Sequence, residues 1–172
     1  MTSLTASQAQ DIHAHADSRE FLSFVLGSEH YALDIMSVKE IRGYEEVTRI
    51  ANAPPFIKGV INLRGDIVPI VDLRIKFAVG EATYTEFTIV IMLNVSDRIV
   101  GIVVDGVSDV IRLTDDDIRP APEFGVAFDH QYLIGLAPIE EHMVILVNIE
   151  RLITSDELGV FDSENAEKDN QD

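Results

Sequence analysis

Apolar and polar residues alternate with a period of two along much of the chain, and this pattern predicts strands. Leu22, Phe24 and Leu26 fall on one face of a first strand, which ends at Gly27. After a Gly-containing loop at 27–30 the alternation resumes at 31–35. The two runs therefore predict a β-hairpin.

Further strands are predicted along the rest of the chain. Residues 87–95 and 99–104 form a second hairpin pattern, with its loop at 96–98. The β-branched runs 67–73 and 143–149 are typical of strands buried on both faces. Helical spacing is confined to a short piece at 149–158 and a turn-sized piece after Asp72. The predicted fold is mainly β with a short C-terminal helix.

The apolar spacing changes from two to three at Ile35, Val38 and Ile41. A single turn or bulge through 36–38 would produce this change and would re-aim Glu40 and Arg42. We therefore expect the chain to change direction at this point.

Two segments of the chain repeat in the same order. Residues 31–41 match 100–110 at an offset of 69, so that Val38 corresponds to Val107 and Ile41 to Val110. Farther along, Gly59 and the run 67–73 match Gly135 and 143–149 at an offset of 76. Each half of about 65 residues has the size of a five-stranded SH3-like β-barrel, which would be only marginally stable alone. We predict two packed barrels with a groove between them, and the chain passes from the first barrel to the second near residues 80–90.

Both ends of the chain are polar. Residues 1–19 have no strong apolar period and predict a flexible N-terminal arm. Residues 162–172 are acidic, contain alanine as their only apolar residue, and predict a disordered tail. The expected folded region is therefore residues 20–161.

The net charge of −17 argues against binding to nucleic acid, which requires clustered Lys and Arg. Residues 20–80 carry seven basic and eight acidic residues, whereas 81–172 carry five and twenty. Solubility explains such a bias, and so do two halves that present different surfaces to different partners. The chain has no cysteine and no apolar run long enough for a membrane helix.

Motifs for catalysis and cofactor binding are absent from the sequence. There is no nucleophile elbow, no dinucleotide-binding glycine motif and no phosphate-binding loop. His13 and His15 fall in the predicted arm, and residues 115–117 are an aspartate run without the spacing of a calcium loop. We expect no catalytic residue, no metal site and no cofactor.

One polar segment stands out between two predicted strands, Asn62-Leu63-Arg64-Gly65. Gly65 readily adopts a positive φ, so Arg64 and Gly65 can form the tip of a tight hairpin. Such a tip would hold the Arg64 side chain outside the barrel on a rigid base. An ion pair between Arg64 and Glu40 is a further hypothesis, worth at most about 1 kcal/mol if exposed.

Several of these segments together resemble the CheW-like proteins, the coupling proteins of bacterial chemotaxis, and especially those of enteric bacteria. The similar segments are 38–44, 56–65, 67–73, 100–110 and 118–122, and the resemblance extends over about residues 20–160. The same domain ends the chemotaxis kinase CheA, but this chain has no kinase or phosphotransfer portion.

The resemblance implies a cytoplasmic, non-enzymatic scaffold that couples chemoreceptors (methyl-accepting chemotaxis proteins) to the regulatory domain of the histidine kinase CheA. It would be associated with membrane-bound receptor arrays without entering the membrane. The resemblance also implies that Arg64 and Glu40 matter for coupling, and that the barrel ends meet CheA. The implied receptor-docking groove is lined by the regions around Val38 and Val104–Val110. The full set of expected coupling residues is Val38, Glu40, Ile41, Gly59, Arg64, Gly65, Gly101, Val107 and Val110.

Two other functions are compatible with the same pattern. One is a β-barrel that binds a small ligand in the groove, and the other is an adaptor that sequesters receptors without activating a kinase. Titration with ligands and with receptor fragments would separate the first from a coupling protein.

Overall fold

The computed structural model describes residues 18–79, 81–120 and 132–153. This part of the chain is mainly β, as the sequence predicts. Its strands are β1 (Arg19–Leu26), β2 (Glu29–Asp34), β3 (Val38–Gly43), β4 (Ile57–Leu63), β5 (Asp66–Asp72), β6 (Ile89–Val95), β7 (Arg98–Val104), β8 (Gly106–Leu113), β9 (Leu133–Ile139) and β10 (His142–Val147). Its short helices are α1 (Leu73–Lys76) and α2 (Ile149–Ile153), and 3-10 turns cover Ile35–Ser37 and Asp115–Asp117.

The predicted local elements are found at their expected places. The turn-sized helix follows Asp72, whose carboxylate caps it by accepting the Arg74 N–H. The C-terminal helix begins at Ile149 as predicted, and residues 154–158 of the prediction lie outside the described residues. Most of the predicted arm and all of the predicted tail also lie outside them, although β1 already begins at Arg19.

The ten strands form two five-stranded sheets. The first sheet has the order β8-β1-β2-β10-β9, and the second has the order β3-β6-β7-β5-β4. Each sheet therefore takes strands from both halves of the sequence. The expectation that each half forms its own barrel is wrong, because β1 and β2 pair with β8 and β10 from the other half.

The sheet topology supports the duplication itself. Each strand and its repeat are five strands apart in the sequence, so that β1 corresponds to β6 and β8 to β3. When each strand of the first sheet is replaced by its repeat, the strand order of the second sheet results. The parallel pairings agree residue by residue, since Ala32 pairs with Leu146 in one sheet and Gly101 pairs with Ile70 in the other. The two halves are thus related by an approximate twofold exchange of strands.

Three apolar cores hold the described part of the fold together. The central core lies between the sheets and combines Leu22, Phe24 and Leu33 of the first with Ile91 and Ile102 of the second, among others. The other two cores belong to one sheet each. The β1 side chains explain how a strand serves two cores, because Phe24 faces the central core and Phe21, three positions earlier, faces the core of the first sheet. Each such side chain contributes about 1.5–3 kcal/mol on burial.

Candidate functional site

Two equivalent edge strands flank the central core. β3 is at one edge of the second sheet and β8 is at one edge of the first. Val38 on β3 and its repeat Val107 on β8 are both half-buried and pack against the central core. Ile41 and its repeat Val110 are 44% and 45% exposed. We call the side chains of these four residues the edge-strand surface.

The turn that precedes β3 adds to the apolar character of this region. Met36, in the 3-10 turn Ile35–Ser37, is 87% exposed. The pairing of β3 with β6 shifts register between Val38 and Glu40, which is the turn and bulge that the change in apolar spacing predicts. The central core fills the space between the sheets, so a docking surface made by these residues lies at the margin of that core and not in an open cleft through it.

Arg64 lies where the sequence predicts, at the tip of the β4–β5 hairpin. Its φ is +53° and that of Gly65 is +94°, and the Gly65 N–H donates to the Asn62 side chain at 2.8 Å. Two consecutive positive φ angles are typical of a type I′ turn. The turn therefore presents an exposed Arg64 on a fixed backbone.

The expected ion pair between Arg64 and Glu40 is not found in residues 18–79, where both of them lie. Glu40 is half-buried on β3, and the Arg64 hairpin belongs to the opposite edge of the same sheet. The nearby Arg42 instead binds Glu45 at 2.5 Å. The hypothesis of direct pairing is therefore not supported by this geometry.

Close packing explains why positions 59 and 101 are glycine. A Cβ on Gly59 would lie 2.1 Å from the Thr48 carbonyl oxygen, and a Cβ on Gly101 would lie 2.6 Å from the Ile70 side chain. Gly135, the repeat of Gly59, has the same kind of environment, with 2.6 Å to the Arg119 carbonyl oxygen. Both close backbone approaches accompany isolated antiparallel bridges, Thr48 with Val60 and Arg119 with Leu136. These glycines allow a strand to pass close to a neighbouring backbone.

A buried charged network was missed by the sequence analysis. Arg74 is 2% exposed, and its guanidinium donates two hydrogen bonds to Asp72 and one, at 2.9 Å, to Asp105. The Tyr84 hydroxyl donates to Asp72 at 2.5 Å, and the Arg74 guanidinium lies over the Tyr84 ring. We call these four residues the Arg74 network. The sequence signal for it is a charged pair, Asp72 and Arg74, placed directly after an apolar run.

The network raises the pKa of two of its residues, Arg74 and Tyr84. Burial opposes the charge of Arg74, but hydrogen bonds and negative charge from Asp72 and Asp105 outweigh that penalty and raise the pKa of Arg74. Burial and the bond to Asp72 raise the pKa of Tyr84 as well. Arg74 therefore stays charged and Tyr84 stays protonated at neutral pH.

A small cavity opens at one end of the second sheet. Its lining includes Arg42, Tyr44, Ile61 and Met92, and it encloses about 200 Å³, counting space open to solvent. Sites for drug-sized ligands usually occupy about 300–1,000 Å³. The cavity also lies within one sheet rather than between the two, where the ligand-binding alternative would place its site.

The residues that the structure describes contain no group of three or more His, Asp or Glu side chains arranged to hold a metal ion. None of their helices is long and apolar enough to cross a membrane.

Comparison with known proteins identifies the family. The model of the CheW-like domain matches residues 20–157. The chain belongs to the CheW-like domain family. It is 59% identical to the chemotaxis protein CheW of Klebsiella aerogenes over 145 residues, which is 84% of this chain and 87% of that one. It is 36% identical to the chemotaxis protein CheW of Rhizobium meliloti, over 84% of this chain and 94% of that one.

A solved structure agrees with this assignment. The scaffolding protein TtCheW from Thermoanaerobacter tengcongensis superposes with a TM-score of 0.73 at 30% identity, covering 80% of this chain and 94% of that one. The CheW-like resemblance expected from the sequence is thereby confirmed, and so is the mainly β fold with two five-stranded sheets. The roles of individual coupling residues stay predictions.

Proposed function

We propose that this chain is a cytoplasmic, non-enzymatic scaffold that couples chemoreceptors to the histidine kinase CheA in receptor arrays at the membrane. Its relatives are named as chemotaxis proteins, and the similar solved structure is named as a scaffolding protein. The observation that carries the proposal for this chain is the edge-strand surface, where equivalent edge strands of the two sheets leave Ile41 and Val110 about half exposed.

The edge-strand surface has the composition of a docking site for a receptor tip. Its valines pack against the central core, so their backbone is held in place, while Ile41 and Val110 leave apolar area that a partner can bury. Lys39, Asp109 and Arg112 supply a charged rim on the same two strands. An apolar centre with a polar rim is typical of protein interfaces, and a helical receptor tip would lay its apolar face against it.

Arg64 and Glu40 are proposed to act separately in coupling. The exposed Arg64 tip suits a charged contact with a partner, because its turn fixes the backbone before binding. Glu40 adjoins Ile41 on β3 but lies opposite Met92, on the side of the second sheet's own core, so it suits the rim of the receptor surface and not its apolar centre. Kinase binding is assigned to the ends of the sheets, where the Arg64 hairpin lies.

The test is binding of a receptor cytoplasmic fragment to variants of the edge-strand surface. Val38→Asp and Ile41→Asp should each weaken binding at least tenfold, since a buried unpaired carboxylate in the interface is costly. Ile50→Asp is the matched control, because Ile50 is 48% exposed and lies outside the surface. Circular dichroism and urea unfolding check that each variant is folded, which matters most for the half-buried Val38.

Three outcomes would change the proposal. Unchanged receptor affinity in a folded Ile41→Asp variant would remove the edge-strand surface from the model. Receptor binding without any effect on CheA activity would favour the sequestering adaptor. Saturable binding of a small ligand that competes with neither partner would favour the ligand-binding alternative.

A further inference from the structure

The chain passes from one sheet to the other at two places in its described part. It leaves the first sheet through the 3-10 turn Ile35–Ser37, between β2 and β3. It returns from the second sheet at Asp105, the single residue between β7 and β8. Asp105 is therefore the residue that joins β7 of the second sheet to β8 of the first.

Asp105 is bound from both sheets. On the side of the first sheet, its carboxylate accepts the Gly27 N–H at 2.7 Å and its own N–H donates to the Val25 carbonyl at 3.0 Å. On the side of the second sheet, its other carboxylate oxygen accepts from Arg74 at 2.9 Å. One carboxylate thus ties the β1–β2 turn to the helix that follows β5.

The anchor on the second sheet is rigid. Arg74 is held by Asp72 through two hydrogen bonds and by the Thr83 carbonyl at 2.9 Å. Its side chain is 1% exposed, whereas the Asp105 side chain is 32% exposed. Charge-assisted bonds in such a setting are stronger than neutral ones and hold a fixed geometry. Asp105 is therefore the partly exposed partner of Arg74 in an otherwise buried set of hydrogen bonds.

We propose that Asp105 is a positioning residue for receptor docking, and that its bond to Arg74 sets where β8 presents Val107 and Val110. Asp105 precedes β8 directly, and β8 pairs only with β1 in the first sheet. The contact from Arg74 fixes this edge strand to the second sheet, which carries β3. The inference rests on the proposed function and deepens it, because it assigns the geometry of the edge-strand surface to a residue that does not contact the partner.

The first experiment asks whether the tie exists in solution. Amide exchange should become at least tenfold faster at Gly27 and in β8 for Asp105→Ala, and remain unchanged in β3. Asp105→Asn retains an acceptor oxygen but loses the charge, so its effect should be smaller. Asp116→Ala, which removes an exposed carboxylate from the turn Asp115–Asp117, is the control and should change neither region. Unchanged exchange at Gly27 and β8 would overturn the tie, whether or not receptors bind.

The second experiment separates positioning from stability. Asp105→Ala should weaken binding of a receptor fragment about tenfold at a temperature where the variant is fully folded. A positioning residue acts through the residues that it positions, so this loss should disappear in a Val110→Asp background and persist in an Ile41→Asp background. Losses that add in both backgrounds, or an affinity within twofold of the unsubstituted chain, would leave Asp105 a structural residue only. If Asp105→Ala does not fold, the same cycle with Asp105→Asn decides.

Failure of the proposed function would look different. The unsubstituted chain would then bind no receptor fragment, while the exchange experiment would still decide whether Asp105 ties β8 to the second sheet.

Discussion

The two crossings between the sheets connect equivalent strands, β2 to β3 and β7 to β8, yet they are built from different chemistry. At the first crossing the Asp34 carboxylate accepts the local Met36 N–H at 2.9 Å and forms an exposed ion pair with Arg19 at 4.0 Å, and Ile35 packs against the central core. At the second crossing Asp105 takes part in a charged network that reaches β5, α1 and the segment before β6. One crossing is thus held by a cap and apolar contact, and the other by buried charge.

The difference shows that two equivalent strands of a duplicated fold can be held in place by interactions of different strength. The turn at the first crossing contains no fully buried residue, so motion there separates no buried charge from its partner. Motion at the second crossing would expose or unpair Arg74, which is costly because buried charges must keep their partners. We infer that β8 is the more firmly placed of the two edge strands and β3 the more adaptable.

The largest effect is expected from removing the centre of the Arg74 network. Arg74→Met leaves Asp72 buried without its cation and should lower the free energy of unfolding by about 3–5 kcal/mol. Urea unfolding measures the change. Arg112→Met is the control, since Arg112 forms an exposed pair with Glu20 and should cost at most about 1 kcal/mol. Equal losses in the two variants would contradict the distinction between a buried and a surface pair.

The Tyr84 hydroxyl should have the next largest effect. Tyr84→Phe removes one donor from the buried Asp72 carboxylate and should cost about 1.5–3 kcal/mol, the range for hydrogen bonds to charged groups. Tyr44→Phe is a matched control, because Tyr44 packs against Tyr84 at 4.6 Å between ring centres and retains that contact as Phe. A loss in Tyr44→Phe as large as in Tyr84→Phe would show that ring packing, not the bond to Asp72, is what matters.

A smaller effect is expected at the first crossing. Asp34→Ala removes the cap of the turn Ile35–Ser37 and should cost about 1 kcal/mol, as N-cap losses usually do. The same urea unfolding measurement applies, with Asp34→Asn as the variant that retains an acceptor. A loss at Asp34 that equals the loss at Arg74 would remove the contrast between the crossings.

The smallest effect is expected in the pH dependence of stability. Burial and the bond to Asp72 raise the pKa of Tyr84, so the folded state retains a proton that the unfolded state releases. This contribution is fully present below the ordinary tyrosine pKa and is lost as pH rises through the folded value. Between pH 9 and 10.5 the chain should lose at most about 1 kcal/mol more than Tyr84→Phe, because solvent screens the partly exposed Tyr84. Parallel pH profiles of the two proteins would contradict the shift.

Local features of this fold could be predicted from the sequence, because they depend on neighbouring residues. The alternation at 22–26 gives β1, and the altered spacing at Ile35, Val38 and Ile41 gives the turn and bulge. The exchange of strands could not be predicted in this way. Many strands carry apolar residues on both faces, as β1 does with Phe21 and Phe24, so the apolar periodicity cannot tell which sheet a strand joins.

The residues of the candidate site also differ in whether the sequence reveals them. Val38, Ile41, Val107 and Val110 could be selected because the duplication pairs them in sequence and the family resemblance names their segments. The pair Asp72 and Arg74 after an apolar run is a signal for the Arg74 network, but the bond from Arg74 to Asp105 could not be found, since these two residues are 31 positions apart. Only the fold brings Arg74 and Asp105 together. The apolar pattern of a single strand does not tell which charged residues become buried.

The central claim is that the chain couples receptor to kinase by docking the receptor on the edge-strand surface, and reconstitution tests it most directly. Receptor fragment, CheA and this chain are combined, and kinase activity is measured with the unsubstituted chain, with Ile41→Asp/Val110→Asp and with the Ile50→Asp control. We predict strong activation by the unsubstituted chain and by the control, and activation reduced at least tenfold with the double variant. Kinase activity that is the same without the chain, or that the double variant supports fully, would contradict the account.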